Sequence, residues 1–336
     1  MESSQTVFVT GSTGLLGVNL IHALLDRGYT VRALVRSVEK AKRVLPSSDR
    51  LEVIEGDLDQ VAAWLSDATS SDFVVHAAAY FREYFGRGDH DVKLQRQNVD
   101  VPVELAKACL ASGVSRLVMV SSSGAISPPT DGKPVTEESP AEGQLPHNGY
   151  MQSKSRMEKE LHKLAIPASR MVIVRPGWMW GPHDNAPTGS GQIYLDMRKV
   201  RKYQFIDGPA FGIVDARDVA RGIVACLEVE NPSPIYNISG ENMSPLAAIR
   251  AIAAVHGKTT ISPVPLKFAM MMSRILELIT RPLGKRNPLP LQGLQVLGSN
   301  FAMSSELAKR ELGVTFRPFS ETARETVEHL DRVFPL

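Results

Sequence analysis

Cysteine is nearly absent from the chain. Of 336 residues only Cys109 and Cys226 carry a thiol, and both fall in apolar, helix-periodic patterns. Two isolated thiols exclude a disulfide framework and fit a reducing compartment. No group of residues has metal-ligand spacing, so no metal is expected. Neither sign of charge is in excess. The net charge is +2, and Lys and Arg are scattered, without the basic stripe of a nucleic-acid binder. Long apolar runs are missing too. The longest, Phe268 to Ile279, is interrupted by Arg274 and Glu277 and is too short to span a bilayer. Residues 1–10 lack the basic start and apolar core of a secretion signal, so the expected location is the cytoplasm. Internal repeats and low-complexity tracts are absent as well. What remains is ordinary for a globular chain, 43% hydrophobic and 22% charged. Its length suits two domains, or one large domain with an added lobe.

Against these absences one stretch stands out. The run Val7-Phe8-Val9-Thr10 feeds into Gly11-Ser12-Thr13-Gly14-Leu15-Leu16-Gly17, three glycines spaced Gly-x-x-Gly-x-x-Gly. Leu16, Leu20, Ile21, Leu24 and Leu25 follow with helical period. A strand, a tight glycine turn and a helix N-terminus together make an anion site, because backbone N–H groups and the positive end of the helix dipole face one point. The stretch Gly11 to Gly17 is therefore expected to hold the pyrophosphate of a dinucleotide.

Farther along, Thr30 to Val35 reads as a second strand with Arg36 at its tip. Val35 takes the position where an acidic residue would hold the ribose hydroxyls of NAD. Arg36 comes next, with Lys40, Lys42 and Arg43 behind it. A guanidinium can clamp a 2′-phosphate through two hydrogen bonds, so NADP is expected, with NAD as the alternative. Arg36 and Arg43 are the candidate ligands, against a plain solvated helix start. Leu51 to Glu55 is a third strand; Asp57 accepts from the adenine amino group or caps the next helix. Phe73 to Ala79 is a fourth strand whose small residues Ala77, Ala78 and Ala79 let a cofactor lie against the backbone; His76 reads as a satisfied core histidine. Tyr80 to Lys93 is expected as a loop near the site mouth, and Asn98 as the start of a helix ending at Gly113. Arg116 to Val120 is a fifth strand running into Ser121-Ser122-Ser123. Strands alternating with helices at this spacing imply an α/β fold with a doubly wound parallel sheet.

A second constellation follows. Tyr150-Met151-Gln152-Ser153-Lys154 opens a helix, and the four-residue spacing puts Tyr150 and Lys154 on one face. A nearby ammonium lowers a phenol's pKa. Ser122 can then hold a substrate carbonyl while Tyr150 moves the proton. Ser123, one residue on, is the alternative. Alone, Tyr-x-x-x-Lys is a common helix surface; after a dinucleotide turn and a strand ending in serines it has chemical meaning.

With these residues the chain resembles an extended short-chain dehydrogenase/reductase of the NAD-dependent epimerase/dehydratase superfamily. The motifs that carry the likeness are Gly11-x-x-Gly14-x-x-Gly17, Asp57-Leu58, His76-Ala77-Ala78, Asn98-Val99, Ser121-Ser122, Tyr150-x-x-x-Lys154 and Arg175-Pro176-x-x-x-x-Gly181-Pro182. Val214 to Ala220 and Tyr236 to Glu241 extend it, so that it covers about Val7 to Phe319. Within the superfamily the chain is most similar to the dihydroflavonol-reductase-like branch and the hopanoid-associated sugar-epimerase-like proteins. The resemblance implies a Rossmann fold over residues 1–175. Residues 176–336 would be mainly a substrate-binding lobe, with some segments returning to the sheet. It implies Tyr150 as acid/base, with Lys154 binding the nicotinamide ribose and tuning Tyr150. Ser122 would polarise the carbonyl and Asn98 would steady the site. Asp57 and Leu58 would hold the adenine, Ala77, Ala78 and Pro176 would line the nicotinamide half, and Ser121, Ala79 and Gly177 would complete the cofactor site. A small-molecule substrate and a homodimer are implied as well.

For the substrate, Trp178 stands where many sugar-nucleotide members carry Asn. Facing a cavity, Trp178 or Trp180 suits an apolar or aromatic substrate; both can equally be core. Tyr80, Phe81, Tyr84 and Phe85 are candidate pocket walls or sheet-edge covers. Residues 282–286 and 288–290 read as a loop, or as a basic phosphate clamp. An NADP-dependent reductase acting on a ketone or alcohol is the leading expectation. A nucleotide-sugar epimerase/dehydratase is the alternative, and a non-catalytic dinucleotide sensor a third reading.

Overall fold

The β-branched and apolar runs of the first half become strands Thr6–Thr10 (β1), Thr30–Val35 (β2), Leu51–Glu55 (β3), Phe73–His76 (β4), Arg116–Val120 (β5) and Met171–Pro176 (β6) in the computed structural model. It describes residues 5–81, 90–127, 132–142, 148–280, 287, 289 and 291–336. The later strands are Trp178–Trp180 (β7), Lys202–Asp207 (β8), Phe211–Asp215 (β9), Ile235–Ile238 (β10), Asn242–Met243 (β11) and Thr260–Pro265 (β12). Residues 282–286, 288 and 290, with the loop or clamp expected of them, lie outside the described residues, as do Tyr84 and Phe85.

Seven strands form one sheet in the order β10-β6-β5-β4-β1-β2-β3, and every pairing in it is parallel. The strand order reverses between β1 and β4, and the crevice outside the carboxyl ends at that switch point is where ligands bind in such folds. The chain is a doubly wound α/β protein.

Helices bury both faces, which is why the central strands read as unbroken apolar runs and not as alternation. On one face, helix Leu15–Asp26 packs beside helix Ala216–Glu228 over Val9, Val75, Val118 and Val174. On the other, helices Val101–Ala111 and Gly149–Lys163 cover Phe8, Val74, Leu117 and Met119, with the Trp64 ring stacked 5.8 Å from Phe8. Cys226 is buried in the first core and Cys109 in the second. A third core joins Trp180, Tyr194 and β9 to helices Pro245–His256 and Phe319–Val333. It is bordered by a three-stranded sheet, β11-β9-β7, and by the β12-β8 pair.

Two elements differ from expectation. The fourth strand ends at His76, not Ala79. β1 turns away at Gly11, so Ala78 N–H finds the Thr10 hydroxyl at 3.2 Å in place of a ladder carbonyl. Asn98 does not open its helix. Helical structure begins at Asp91 and passes through a π-helical turn, Arg96–Asp100, before Val101–Ala111. The tail of the expected Tyr80–Lys93 loop, from Asp91, is therefore helical.

Candidate active site

The glycine turn is shaped by contacts that no side chain would allow. Gly11 has φ +76°, and a Cβ there would lie 2.7 Å from Ala78 N and 2.8 Å from Ala77 C. A Cβ on Gly17 would fall 2.1 Å from the Gly11 carbonyl oxygen, so helix and turn touch backbone to backbone. Gly14 caps helix Leu15–Asp26 without any side-chain hydrogen bond, and the first turn holds no acid. The N–H groups of Leu15 and Leu16 are thus presented at the switch point with no carboxylate competing for them. This cradle fits a dinucleotide pyrophosphate. Ser12 serves the turn itself: its buried hydroxyl donates to Val9 O at 2.8 Å. Thr13 is half-buried beside the exposed Gly14.

At the adenine end, Arg36 is exposed at the tip of β2, and Ser37 caps helix Val38–Val44 by accepting from Lys40 N. Arg43 lies in the last turn of that helix. It pairs with Glu39 one turn back, both largely exposed. Asp57 accepts from Asp59 N at 2.8 Å, closing a local turn before the 3-10 helix Val61–Ala63, while Leu58 packs against the core under Trp64.

The second constellation assembles where β4, β5 and β6 end. Asn148 caps helix Gly149–Lys163 by accepting from Met151 N at 3.1 Å, which fixes Tyr150 in the first turn. The Ser122 hydroxyl is near enough to the Tyr150 phenol to act on its proton affinity. Ser122 is itself oriented by accepting from Gly124 N at 3.1 Å. Ser123, the alternative, opens the short 3-10 helix beyond. Burial pushes the Tyr150 phenol up to about 12, while the Ser122 hydroxyl pulls it down. One turn further, Lys154 is buried and its Nζ donates to Val120 O at 2.8 Å. Burial pushes this ammonium down to about 8, against the upward pull of Glu158.

His76 is only half satisfied. Its Nδ1 meets the Thr10 hydroxyl at 3.0 Å, but its buried Nε2 has no partner among the described residues. Burial, with the Lys154 charge adding to it, holds the ring neutral, its pKa lowered to about 3. Asn98 is fully buried within the π turn and acts as a clamp. Its Oδ1 accepts from Tyr80 N at 2.7 Å, and its Nδ2 donates to Tyr80 O at 3.1 Å and Ser153 Oγ at 2.9 Å. Asn98 thus ties the segment after β4 to the helix that bears Tyr150. The Phe81 ring lies 4.6 Å from that of Tyr150, and the Tyr80 hydroxyl is bonded to His90 Nδ1 at 2.7 Å.

Glu158 was not anticipated. It continues the Tyr150, Lys154 spacing by one more turn and is buried against Arg175, whose Nε lies 3.1 Å from both carboxylate oxygens. The Ser121 hydroxyl also donates to Glu158, so that Ser121 side chain is committed away from a ligand. A third polar residue on one face of an amphipathic helix was the available signal. Gly177 has a packing reason to be glycine: a Cβ there would lie 2.3 Å from Gly212 O. Pro176 ends β6 opposite Ile238. Of the tryptophan pair, Trp180 is core, whereas Trp178 is half-buried, edge-on to Trp180 at 5.2 Å and to Phe211 at 5.8 Å. No group of three His, Cys, Asp or Glu suited to a metal ion occurs among the described residues.

Comparison with known proteins adds the following. The model of a family described as the NAD dependent epimerase/dehydratase family matches residues 7–239. A 4-hydroxy-2-methyl-3-oxo-4-farnesyl-3,4-dihydroquinoline-1-oxide ketoreductase of Stigmatella aurantiaca is 27% identical over 92% of this chain and 92% of its own. The UDP-glucose 4-epimerase of Vibrio cholerae is 28% identical over 78% of this chain and 79% of its own. The crystal structure of the Bordetella bronchiseptica enzyme WbmH in complex with NAD+ has the same fold. It matches with a TM-score of 0.74 at 19% identity, covering 99% of this chain and 100% of that one.

Proposed function

The chain belongs to the NAD-dependent epimerase/dehydratase family, and on that premise we propose that it is an NADP-dependent reductase acting on a ketone or alcohol of apolar or aromatic character. One observation carries the chemistry: the Tyr150 phenol lies beside the Ser122 hydroxyl, one helical turn from a buried Lys154 ammonium whose Nζ donates to Val120 O. When bound, the nicotinamide supplies or accepts the hydride. In the reducing direction Ser122 holds the carbonyl oxygen and Tyr150 gives it a proton as the carbon gains hydride. Lys154 would stabilise the resulting phenolate once its Nζ turns from Val120 O; in this structure burial and Ser122, and not the expected ammonium, set the phenol's proton affinity. Asn98 keeps the helix bearing Tyr150 in register with the chain after β4 and acts as a positioning residue. Gly11 to Gly17 hold the pyrophosphate through backbone N–H groups. Ala77, Ala78, Pro176 and Gly177 leave room for the nicotinamide half. Arg36 takes the 2′-phosphate.

The apolar substrate class is supported by Trp178 and Tyr150, which lie half-buried on the margin of one apolar cluster. The ketoreductase relative favours the same reading. The epimerase relative keeps a second one in view, because the same tyrosine, lysine and serine can serve an oxidation and reduction within one cofactor cycle. The two differ in stoichiometry. Incubation with NADPH and a panel of aromatic and aliphatic ketones, followed by nicotinamide absorbance, should show multiple turnovers and free cofactor exchange. Tightly held NAD, with interconversion of a nucleotide sugar and no net cofactor consumption, would replace this proposal with the second reading.

A further inference from the structure

Helix Leu266–Thr280 docks on the β12-β8 pair through one face only. Ala269 and Ser273 are buried, and Leu266 and Met270 pack with Ile206 and Leu294. The opposite face carries large apolar side chains at Phe268, Met271, Ile275, Leu278 and Ile279, exposed by 52%, 50%, 43%, 76% and 54%. The spacing of three, four, three and one places all five on a single stripe of the helix. Elsewhere among the described residues, exposed large apolar side chains are single and scattered, which is normal for a soluble surface. A continuous stripe is not.

The charges beside the stripe identify its occupant. Lys267 and Arg274 are exposed and flank it on one side. Glu277, the only acid between residues 262 and 290, lies on the far side of the helix, where it accepts from Asn287 Nδ2 at 3.1 Å. The segment that follows adds Arg281, Lys285 and Arg286 in sequence. An apolar face edged by cations, on a helix with its one acid turned away, is the pattern of a helix lying in a membrane interface. No helix among the described residues is long and apolar enough to cross a bilayer, so the contact is with one surface. We infer that helix Leu266–Thr280 docks the enzyme on an anionic lipid bilayer, with Phe268, Met271, Ile275, Leu278 and Ile279 entering the headgroup boundary and Lys267 and Arg274 meeting the lipid charge.

The test is co-sedimentation of the full chain with vesicles of phosphatidylcholine alone and of equimolar phosphatidylcholine and phosphatidylglycerol. Pelleting with the anionic vesicles, weakened by salt, is expected. Phe268→Asn and Leu278→Asn should each lower the partition coefficient about tenfold. Arg274→Glu should lower binding to anionic vesicles at least about fivefold. All three side chains are exposed, so unchanged thermal unfolding shows that the variants remain folded. Failure to pellet with anionic vesicles overturns the inference. So does pelleting that all three substitutions leave unchanged. A dimer in vesicle-free buffer that Leu278→Asn dissociates, seen by light scattering, would mean that the stripe is covered by a second copy instead.

Discussion

Lys154 and Tyr150 sit one helical turn apart, and burial acts on them in opposite directions on the pH scale. Burial lowers the Lys154 ammonium from 10.5 to about 8 and raises the Tyr150 phenol from 10.0 to about 12. Below about pH 8 the folded chain must bury a charged ammonium. Above it the folded chain releases that proton while the unfolded chain keeps it up to about 10.5. In that window the unfolded state binds more protons, so the lysine's contribution to stability becomes more favourable as pH rises. The stability of the wild type relative to Lys154→Met, read from urea midpoints, should therefore rise between pH 8 and 10.5; a flat difference would mean that the ammonium is not desolvated. Tyr150→Phe should lower kcat by about a hundredfold to ten-thousandfold and leave NADPH affinity by fluorescence titration nearly unchanged. Arg36→Ala should weaken NADPH by at least about tenfold through loss of a charge-assisted pair while leaving NADH within about twofold. Equal weakening would remove Arg36 from the 2′-phosphate. The two ends of this site were not equally legible. The placement of Tyr150 and Lys154 on one helix face and of Ser122 just past β5 is legible in spacing, because a helix face and a strand end are local geometry. The partnership of Glu158 with Arg175 and Ser121 joins three segments far apart in sequence.

At the scale of elements, β2, β3 and β5 have the bounds their residue patterns dictate, and helix Pro245–His256 starts and stops at its caps, Ser244 and Gly257. Each is flanked by a turn residue or cap, such as Ser244, which accepts from Ala247 N at 3.1 Å. The π turn at Arg96–Asp100 had no such marker. Its sequence supports a plain α-helix, and only the three hydrogen bonds of Asn98 explain the extra residue, in keeping with the association of π turns with functional sites. The glycine turn makes a sharper prediction. Gly17→Ala brings a Cβ to 2.1 Å from Gly11 O. It should destabilise by about 1–3 kcal/mol and weaken NADPH binding, whereas Gly113→Ala, with nothing within 4 Å of its Cβ, should change neither. Calorimetry and the same fluorescence titration distinguish the two variants.

The whole molecule is less divisible than its sequence suggests. The apolar core beneath helix Leu15–Asp26 includes Val214, Val219, Ile223, Tyr236 and Ile238, all from the second half. Arg116 on β5 donates to the carbonyl oxygens of Cys226 and Val229. We expect residues 1–175 expressed alone to lack the cooperative thermal transition of the full chain, because β6 then has no outer neighbour and one face of the sheet loses helix Ala216–Glu228. A cooperative, NADPH-binding fragment would show that the second half is dispensable to the first. The resemblance implies that later segments return to the sheet, but it does not say which strand goes back. That late return also governs how the protein is made. The seat beside β6 is filled by β10, roughly sixty residues downstream. At ribosomal speeds of about 5–20 residues per second, the growing chain carries an open, apolar strand edge for about 3–12 seconds before its own continuation covers it. During that interval the nascent chain invites pairing with a neighbour on the same message or with a chaperone, so the rate of translation between Gly177 and Ile238 becomes a determinant of yield.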